Sequence, residues 1–246
     1  MCGVPFRGRG VAITTPDVET ARICQDKFRT AAHLAQHGIR AARTWTPEQV
    51  AGAALEPPLF IKPRRGRGSV SAYPIATAEQ LRFFLGYVPD PVVQEYLDGP
   101  EFTIDLFCDL EGRPIAAGPR ERLVVRLGVT DRGQTSRDPT LIGLAVRCAA
   151  VLRFKGAVNV QCRVVRGTPV VFEINPRFSG GIQLTIAAGA DFAEWTIRMA
   201  RGESLRPCLG QFTDGLRMSC YESSLFLTAS DAPRLATPDQ ATEKVP

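Results

Sequence analysis

The sequence predicts an α+β fold in which antiparallel sheets are backed by helices. Three observations carry this. Short runs of β-favouring residues are bounded by Gly, Pro and Asp turn signals, and two of them, Ala157 to Val165 and Val170 to Ile174, read as a hairpin around Arg166, Gly167 and Thr168. Helical segments with start signals lie between the strands, as at Thr77 and at Asp138-Pro139. The chain has 246 residues with 44% apolar and 22% charged content, enough for one large domain or two lobes with a real core.

In chain order, Val11 to Thr14 reads as a short strand. A helix opens with Thr15 as N-cap and Pro16 in its first turn, breaks near Gln25-Asp26 and stops at Gly38. Pro47 to Pro58 is a linker with weak helical content. Leu59 to Ile61 is a strand, Arg64 to Ser69 a basic glycine-rich loop, and Val70 to Ile75 a returning strand. Thr77 to Tyr87 is a helix, with acidic Glu79 suited to its first turn. Val92 to Leu97 and Glu101 to Leu110 are strands around the turn Asp98-Gly99-Pro100. Extended segments are expected at Pro114 to Ala117 and Arg122 to Leu127, and a helix from Asp138-Pro139 to about Phe154. After the hairpin come a helix over Phe192 to Arg201 and strand character over Gly215 to Leu227. Thr228 to Pro246 is polar and aperiodic, so a disordered tail is expected there.

Composition excludes several classes. The net charge of +5 would suit nucleic acid, but Arg and Lys are scattered, the longest basic cluster being Arg64 to Arg67, and a basic site for an anionic nucleotide explains the excess as well. The seven cysteines are odd in number and include no Cys-x-x-Cys spacing, which speaks for reduced thiols rather than a disulfide scaffold or a zinc knuckle. His33 and His37 are four apart on a helix, but no His-Glu-x-x-His pattern accompanies them. With no signal peptide and no long apolar span, the expectation is a cytoplasmic protein with no membrane and no nucleic-acid partner.

Three segments carry chemistry. In Val171 to Gly181, Glu173 and Asn175 project from one face of a strand, and Arg177 follows at once. Carboxylate and amide oxygens suit a hard cation, and a guanidinium suits phosphate oxygens. If the preceding strand pairs with this one, Gln161 adds a third oxygen. The plainer alternative is a strand end with a salt bridge in its turn. In Phe60 to Ser69, Lys62 stands at a strand end before Gly66 and Gly68, whose backbone N–H groups can curl over phosphates. No Walker motif is present, and a basic hairpin tip would read the same way. In Val92 to Glu101, a strand running into a loop exposes backbone groups that can pair with an adenine edge, and Glu101 can accept from ribose hydroxyls; a charged hairpin is the alternative.

Taken in this order, the segments resemble the ATP-grasp superfamily over roughly Val11 to Leu227, above all the ATP-grasp domain of the carbamoyl phosphate synthetase large chain and stand-alone carboxylate–amine ligases. Asn159-Val160-Gln161 followed by Phe172 to Gly181 is the most specific part. The resemblance implies two α+β lobes clamping ATP between antiparallel sheets: residues 17–90 as the first lobe and 91–228 as the second, preceded by a remnant, 1–16, of a largely missing pre-grasp domain and followed by the tail 229–246. It implies that Lys27 and Lys62 contact phosphates and that Arg67, Gly68 and Ser69 lie in a lid loop. Gln94, Tyr96 and Leu97 would serve adenine and Glu101 ribose, while Gln161, Glu173 and Asn175 would hold Mg2+ or Mn2+. Arg177 would steady the transferring phosphoryl group, with Asn175 also catalytic, and Arg122 and Arg126 would face an acidic substrate.

The implied activity is Mg-ATP-dependent ligation of a small carboxylate to an amine through an acyl phosphate. The competing expectation is an ATP-binding module without catalysis, or a fragment needing a partner domain. Ser71 stands where relatives often have glycine. An unpaired apolar strand at Val11 to Ile13 would favour homo-oligomers or a separate pre-grasp polypeptide.

Overall fold

The computed structural model describes residues 12–66, 68–222, 224 and 226. Two antiparallel sheets organise it. The smaller has the order β1-β4-β2-β3, from β1 (Thr44–Trp45), β2 (Leu59–Pro63), β3 (Tyr73–Ile75) and β4 (Pro91–Glu95). The larger has the order β10-β7-β6-β5-β8-β9, from β5 (Glu101–Cys108), β6 (Pro114–Arg126), β7 (Val129–Thr135), β8 (Gly156–Val165), β9 (Thr168–Asn175) and β10 (Arg217–Ser219). Consecutive strands β4 and β5 belong to different sheets, so residues 96–100 are a crossing between sheets and not a hairpin.

Alternation along β5 divides the larger sheet's two faces. Phe102, Ile104 and Leu106 point into a core shared with Val158, Val160, Ile174 and the apolar side of α5 (Pro139–Leu152), including Leu144 and Cys148. Helices α1 (Val18–Gln25) and α2 (Lys27–Gln36) join this core through Cys24 and Leu34. The opposite face carries Glu101, Thr103 and Asp105, and further along the strand Phe107, which packs with Phe192 of α7 (Phe192–Ala200). On the smaller sheet, Leu59, Ile61 and Val93 meet Leu81 of α4 (Ala78–Tyr87), and Val50 of α3 (Pro47–Gly52) completes that core.

Several local signals act as expected. Thr77 accepts from the Gln80 N–H, Asp138 caps α5, and Gly38 ends α2 with φ of +69°. Arg166 and Gly167, both at positive φ, make the tight β8–β9 turn. The break at Gln25-Asp26 is real: Asp26 both ends α1 and caps α2.

The differences have identifiable causes. Asp17, not Thr15, caps α1, because its carboxylate accepts from the Thr20 N–H. Ala12 to Thr14 form no strand, since a strand needs a ladder partner; Thr14 lies instead against Gly156. Val11 is outside the described residues. Val70 to Ala72 are turn or irregular, leaving only Tyr73–Ile75 as the returning strand. The two segments expected around 114–127 are one strand, β6, hairpinned to a β7 that its polar composition had hidden. A short helix α6 (Ile182–Ala187) was not anticipated, and among the described residues of Gly215 to Leu227 only Arg217–Ser219 is strand. Residues 1–11 and the expected tail 229–246 lie outside the described residues.

Candidate active site

The two sheets face each other across a cavity of about 620 Å3, inside the range of small-molecule sites. The β8–β9 register sets Gln161 directly opposite Glu173 and Asn159 opposite Asn175. The β5–β8 register sets Thr103 opposite Gln161 and Glu101 opposite Arg163. One polar row therefore crosses three strands, because residues two apart share a face and cross-strand partners share it too.

Of the residues expected to serve nucleotide and metal, all but Arg67, which lies outside the described residues, line this one cavity: Lys27, Lys62, Gly68, Ser69, Gln94, Tyr96, Leu97, Glu101, Gln161, Glu173, Asn175 and Arg177. Arg122 also lines it, whereas Arg126 does not; Arg126 pairs at the surface with Asp131 (3.6 Å) and Glu222 (3.1 Å). Arg163 was overlooked, although its place two residues after Gln161 puts it on the same strand face.

Lys27 starts α2, and its Nζ lies 3.9 Å from Glu173 Oε2 and donates to the Gly66 carbonyl at 3.3 Å. Lys62 is buried at the end of β2, with its Nζ 3.4 Å from the Phe172 carbonyl and 5.0 Å from the Phe172 ring centre. Burial pushes the Lys62 ammonium down to about 8; Glu173 opposes that shift and Lys27 adds to it. Asn175 Nδ2 donates to Glu173 Oε1 at 3.0 Å, so the amide is oriented by its own neighbour. Glu101 is gripped by Arg163 at 2.6 Å and approached by Arg122 at 3.2 Å. Arg122 Nε is not aimed at that oxygen, and it is the one buried side-chain polar atom without a hydrogen-bond partner among the described residues. At the other end of the cavity, the backbone groups of Tyr96 and Leu97 make no backbone hydrogen bond among the described residues. The Gln94 side chain is already engaged, donating to Thr44 Oγ1 at 2.9 Å.

Lys62 gives a prediction independent of function. A lysine whose folded pKa is depressed carries an unfavourable contribution while charged, and that penalty is relieved as pH rises from about 8 toward its unfolded value of 10.5. The buried thiols Cys24, Cys108, Cys148 and Cys162, held up to about 12, act in the opposite sense above pH 9. In metal-free buffer, denaturant midpoints of the native chain and of Lys62→Met are therefore expected to differ in slope between pH 8 and 10.5, the native chain gaining stability relative to the variant. Parallel profiles would count against a buried, depressed lysine.

Five cationic side chains (Lys27, Lys62, Arg122, Arg163 and Arg177) line the cavity against three carboxylates (Glu95, Glu101 and Glu173). The surplus suits a polyanion. The donor set at the phosphate-suited end, one carboxylate and two amides, fits a magnesium ion that keeps most of its shell for phosphate and water. Among the described residues there is no cluster of three or more His, Cys, Asp or Glu that would hold a metal by protein ligands alone.

The two sheets thus face a cationic cleft, with a glycine loop on one side and an oxygen-bearing strand pair on the other. The chain belongs to the ATP-grasp family: the profile described as ATP-grasp in the biosynthetic pathway with Ter operon matches residues 87–223, more than half of it. It is similar to the carbamoyl phosphate synthase large chain of Thermoanaerobacter sp. (strain X514), 26% identical over 219 residues, 80% of this chain and 20% of that one. It is equally similar to the uncharacterized protein y4rH of Sinorhizobium fredii (strain NBRC 101917 / NGR234), 26% over 217 residues, 79% of this chain and 45% of that one. The chain thus spans a fifth to under a half of these relatives' lengths. In fold it is similar to the biotin carboxylase domain of Hydrogenobacter thermophilus 2-oxoglutarate carboxylase, solved with MgADP, ADP and bicarbonate (TM-score 0.72, 17% identity, 87% of this chain and 53% of that one). It is also similar to D-alanine-D-alanine ligase from Coxiella burnetii (TM-score 0.62, 17% identity, 80% and 63%).

Proposed function

We propose that the chain binds Mg-ATP in the cavity between the sheets and catalyses ATP-dependent joining of a carboxylate to an amine. The observation that carries this is the convergence of Lys27, Lys62, Gln161, Glu173, Asn175 and Arg177 on one end of one cavity. A carboxylate oxygen attacks the γ-phosphorus in line as ADP leaves, giving an acyl phosphate; the amine then displaces phosphate, with loss of a proton, to form the C–N bond. Lys27 and Lys62 would hold the phosphates, and Arg177 would stay with the transferring group. Gln161, Glu173 and Asn175 would hold magnesium, whose charge, when bound, offsets that of the phosphates. Tyr96 and Leu97 would offer backbone groups to adenine, beside a wall that includes Phe60 and Phe172. Glu101 would take the ribose hydroxyls while Arg163 holds one of its oxygens in place. Gly68 and Ser69 would cover the phosphates from the loop.

No side chain need act as a covalent nucleophile; positioning and charge do the chemistry. We place residues 17–90 and 91–228 as the two lobes of the clamp. Among the described residues no helix is long and apolar enough to cross a membrane, and six cysteines are free thiols, which fits our assignment to the cytoplasm.

The test is phosphate and ADP release by the chain over an acid-by-amine panel. Release that needs both substrates and magnesium is expected; none under any pairing, with partner domains supplied, refutes ligation. A second reading, ATP binding without turnover, is favoured by Ser71, which stands in the loop at φ +54°, a conformation glycine adopts more readily. It predicts that ATP raises the melting temperature but is not consumed.

The pH dependence of binding follows from Lys62. In the free protein its ammonium is half deprotonated near pH 8, and a bound triphosphate favours the charged form. Nucleotide affinity is expected to fall as pH rises above 8, by up to tenfold per pH unit, with proton uptake on binding. Calorimetry in buffers of different ionisation enthalpy checks this, and Lys62→Met removes it.

A further inference from the structure

Arg64 and Arg65, the first half of the basic run, converge on a single acid. Arg64 Nε lies 2.8 Å and Arg65 Nη2 3.3 Å from Asp26 Oδ2. Asp26 Oδ1 meanwhile accepts from the Arg29 N–H at 3.1 Å and caps α2. The residue is 1% exposed. A cap needs one acceptor oxygen, and serine, threonine or asparagine supplies it without burying a charge. The buried charge is therefore explained by the second oxygen and the two arginines on it. The backbone closes the same junction. The Lys27 N–H, without an intrahelical partner at the start of α2, donates to the Arg64 carbonyl at 3.1 Å, and Lys27 Nζ donates to the Gly66 carbonyl at 3.3 Å. Arg64 Cζ also sits 5.4 Å from the centre of the Phe28 ring.

This junction joins elements that belong to different cores. Helices α1 and α2 pack into the core of the larger sheet through Cys24 and Leu34, whereas β2, which ends at Pro63, packs into the core of the smaller sheet through Leu59 and Ile61. Lys27 follows Asp26 directly, and Lys62 precedes Arg64 by two residues. The two lysines that line the cavity thus stand on separate parts of the fold, and the Asp26 cluster ties those parts together beside them. We propose that Asp26 is a positioning residue: by latching the base of the glycine loop to the start of α2, it fixes Lys62 and the loop against Lys27 in the arrangement that receives phosphates. Its role in phosphate binding rests on the nucleotide reading, whereas the latch rests on the geometry alone. Charge by itself predicts the opposite effect of removing Asp26, since one acid fewer beside a cationic cleft would tighten the hold on a polyanion.

The experiment compares the full chain with Asp26→Asn, which keeps an oxygen for the Arg29 N–H and removes the charge. The Arg64 and Arg65 side chains are 28% and 64% exposed, so water receives them and the fold is expected to hold. In hydrogen exchange the Lys27 amide is expected to exchange about tenfold faster in the variant, while amides of β5 and β8, in the middle of the larger sheet, keep their native rates. Calorimetric titration with the Mg complex of a non-hydrolysable ATP analogue is expected to give an affinity lower by about tenfold, because only molecules with the junction closed are ready to bind. In the acid-by-amine assay the nucleotide KM is expected to rise by a like factor while kcat stays within about threefold, since saturating nucleotide restores the closed arrangement. The double variant Asp26→Asn with Arg64→Met is expected to bind the analogue within about twofold of Arg64→Met alone, because the two residues act through one contact. The double variant leaves no buried charge at the junction and is compared with the native chain by the same measurements should the single variant not fold. Unchanged exchange at Lys27 overturns the latch. Faster exchange with an analogue affinity unchanged or raised overturns the positioning role and leaves the nucleotide reading standing. Faster exchange in a chain whose native form binds no analogue upholds the latch and removes the nucleotide reading.

Discussion

Replacing Glu173 by glutamine is expected to lower magnesium- and ATP-dependent phosphate release by roughly 10^2–10^3-fold, the scale seen when one electrostatic group of a polar catalytic site is removed. Glu173 is the sole carboxylate of the oxygen trio, and the substitution keeps its shape while removing its charge. The same change has an opposite effect when metal is absent. Glu173 lies 3.9 Å from Lys27 Nζ and faces the same end of the cavity as Lys62, so it cancels part of the positive charge offered to phosphates. In EDTA, ADP affinity is therefore expected to rise severalfold in Glu173→Gln, while affinity for the magnesium complex falls. Calorimetric titration of ADP with and without magnesium separates the two. A variant that keeps native turnover, or that loses metal-free and metal-dependent binding in parallel, would show that Glu173 is structural only.

Arg120→Met is expected to destabilise the fold by about 3–5 kcal/mol, the usual result of leaving one member of a buried ion pair without its partner. Arg120 and Asp105 are each 1% exposed; Arg120 Nε and Asp105 Oδ2 are 2.6 Å apart, and Thr185 Oγ1 donates to the same Asp105 oxygen at 2.5 Å. Arg120 also holds Ser179, two residues beyond Arg177, and a Cβ at Gly181 would come within 2.6 Å of its Nη1. The pair thus pins the turn that carries Arg177 to the middle of the larger sheet. For a chain of this size the loss corresponds to a melting temperature lower by on the order of 10 °C. The double variant Arg120→Met with Asp105→Leu removes both charges and is expected to recover much of the loss, because the penalty of the single change is an unpaired Asp105. Urea denaturation of the single and double variants measures this. A double variant less stable than either single one would overturn that account.

Much of the site was legible because its determinants are local. Gln161 and Glu173 face each other because a one-residue shift beside Gln161 alters the register that the Arg166-Gly167 turn sets, and strand alternation then carries Asn175 to the same face. Lys62 and the glycines after it are likewise a strand end and a loop, both written in a few consecutive residues. Arg163 was within reach of the same rule and was missed because no motif drew attention to it.

Local rules ended where the partner of a segment lay elsewhere. Val129–Thr135 contains Asp131, Arg132, Gly133 and Gln134, and nothing in that run marks a strand; β6 on one side and β10 on the other make it one. Ala12 to Thr14 has the composition of a strand but no described segment to pair with. Glu101 reads as a free ribose acceptor, yet two distant arginines converge on it.

From the sequence alone came most element types, the existence of the β8–β9 hairpin and the oxygen, lysine and arginine groups of the cavity, since each depends on spacing and alternation along a few residues. Only the tertiary structure decided that β4 and β5 part into different sheets, that α1 and α2 pack into the larger sheet's core, and that a second cavity opens beside the first. Those features depend on which surfaces bury one another across long sequence separations, and burial is a property of the assembled chain that no local pattern encodes.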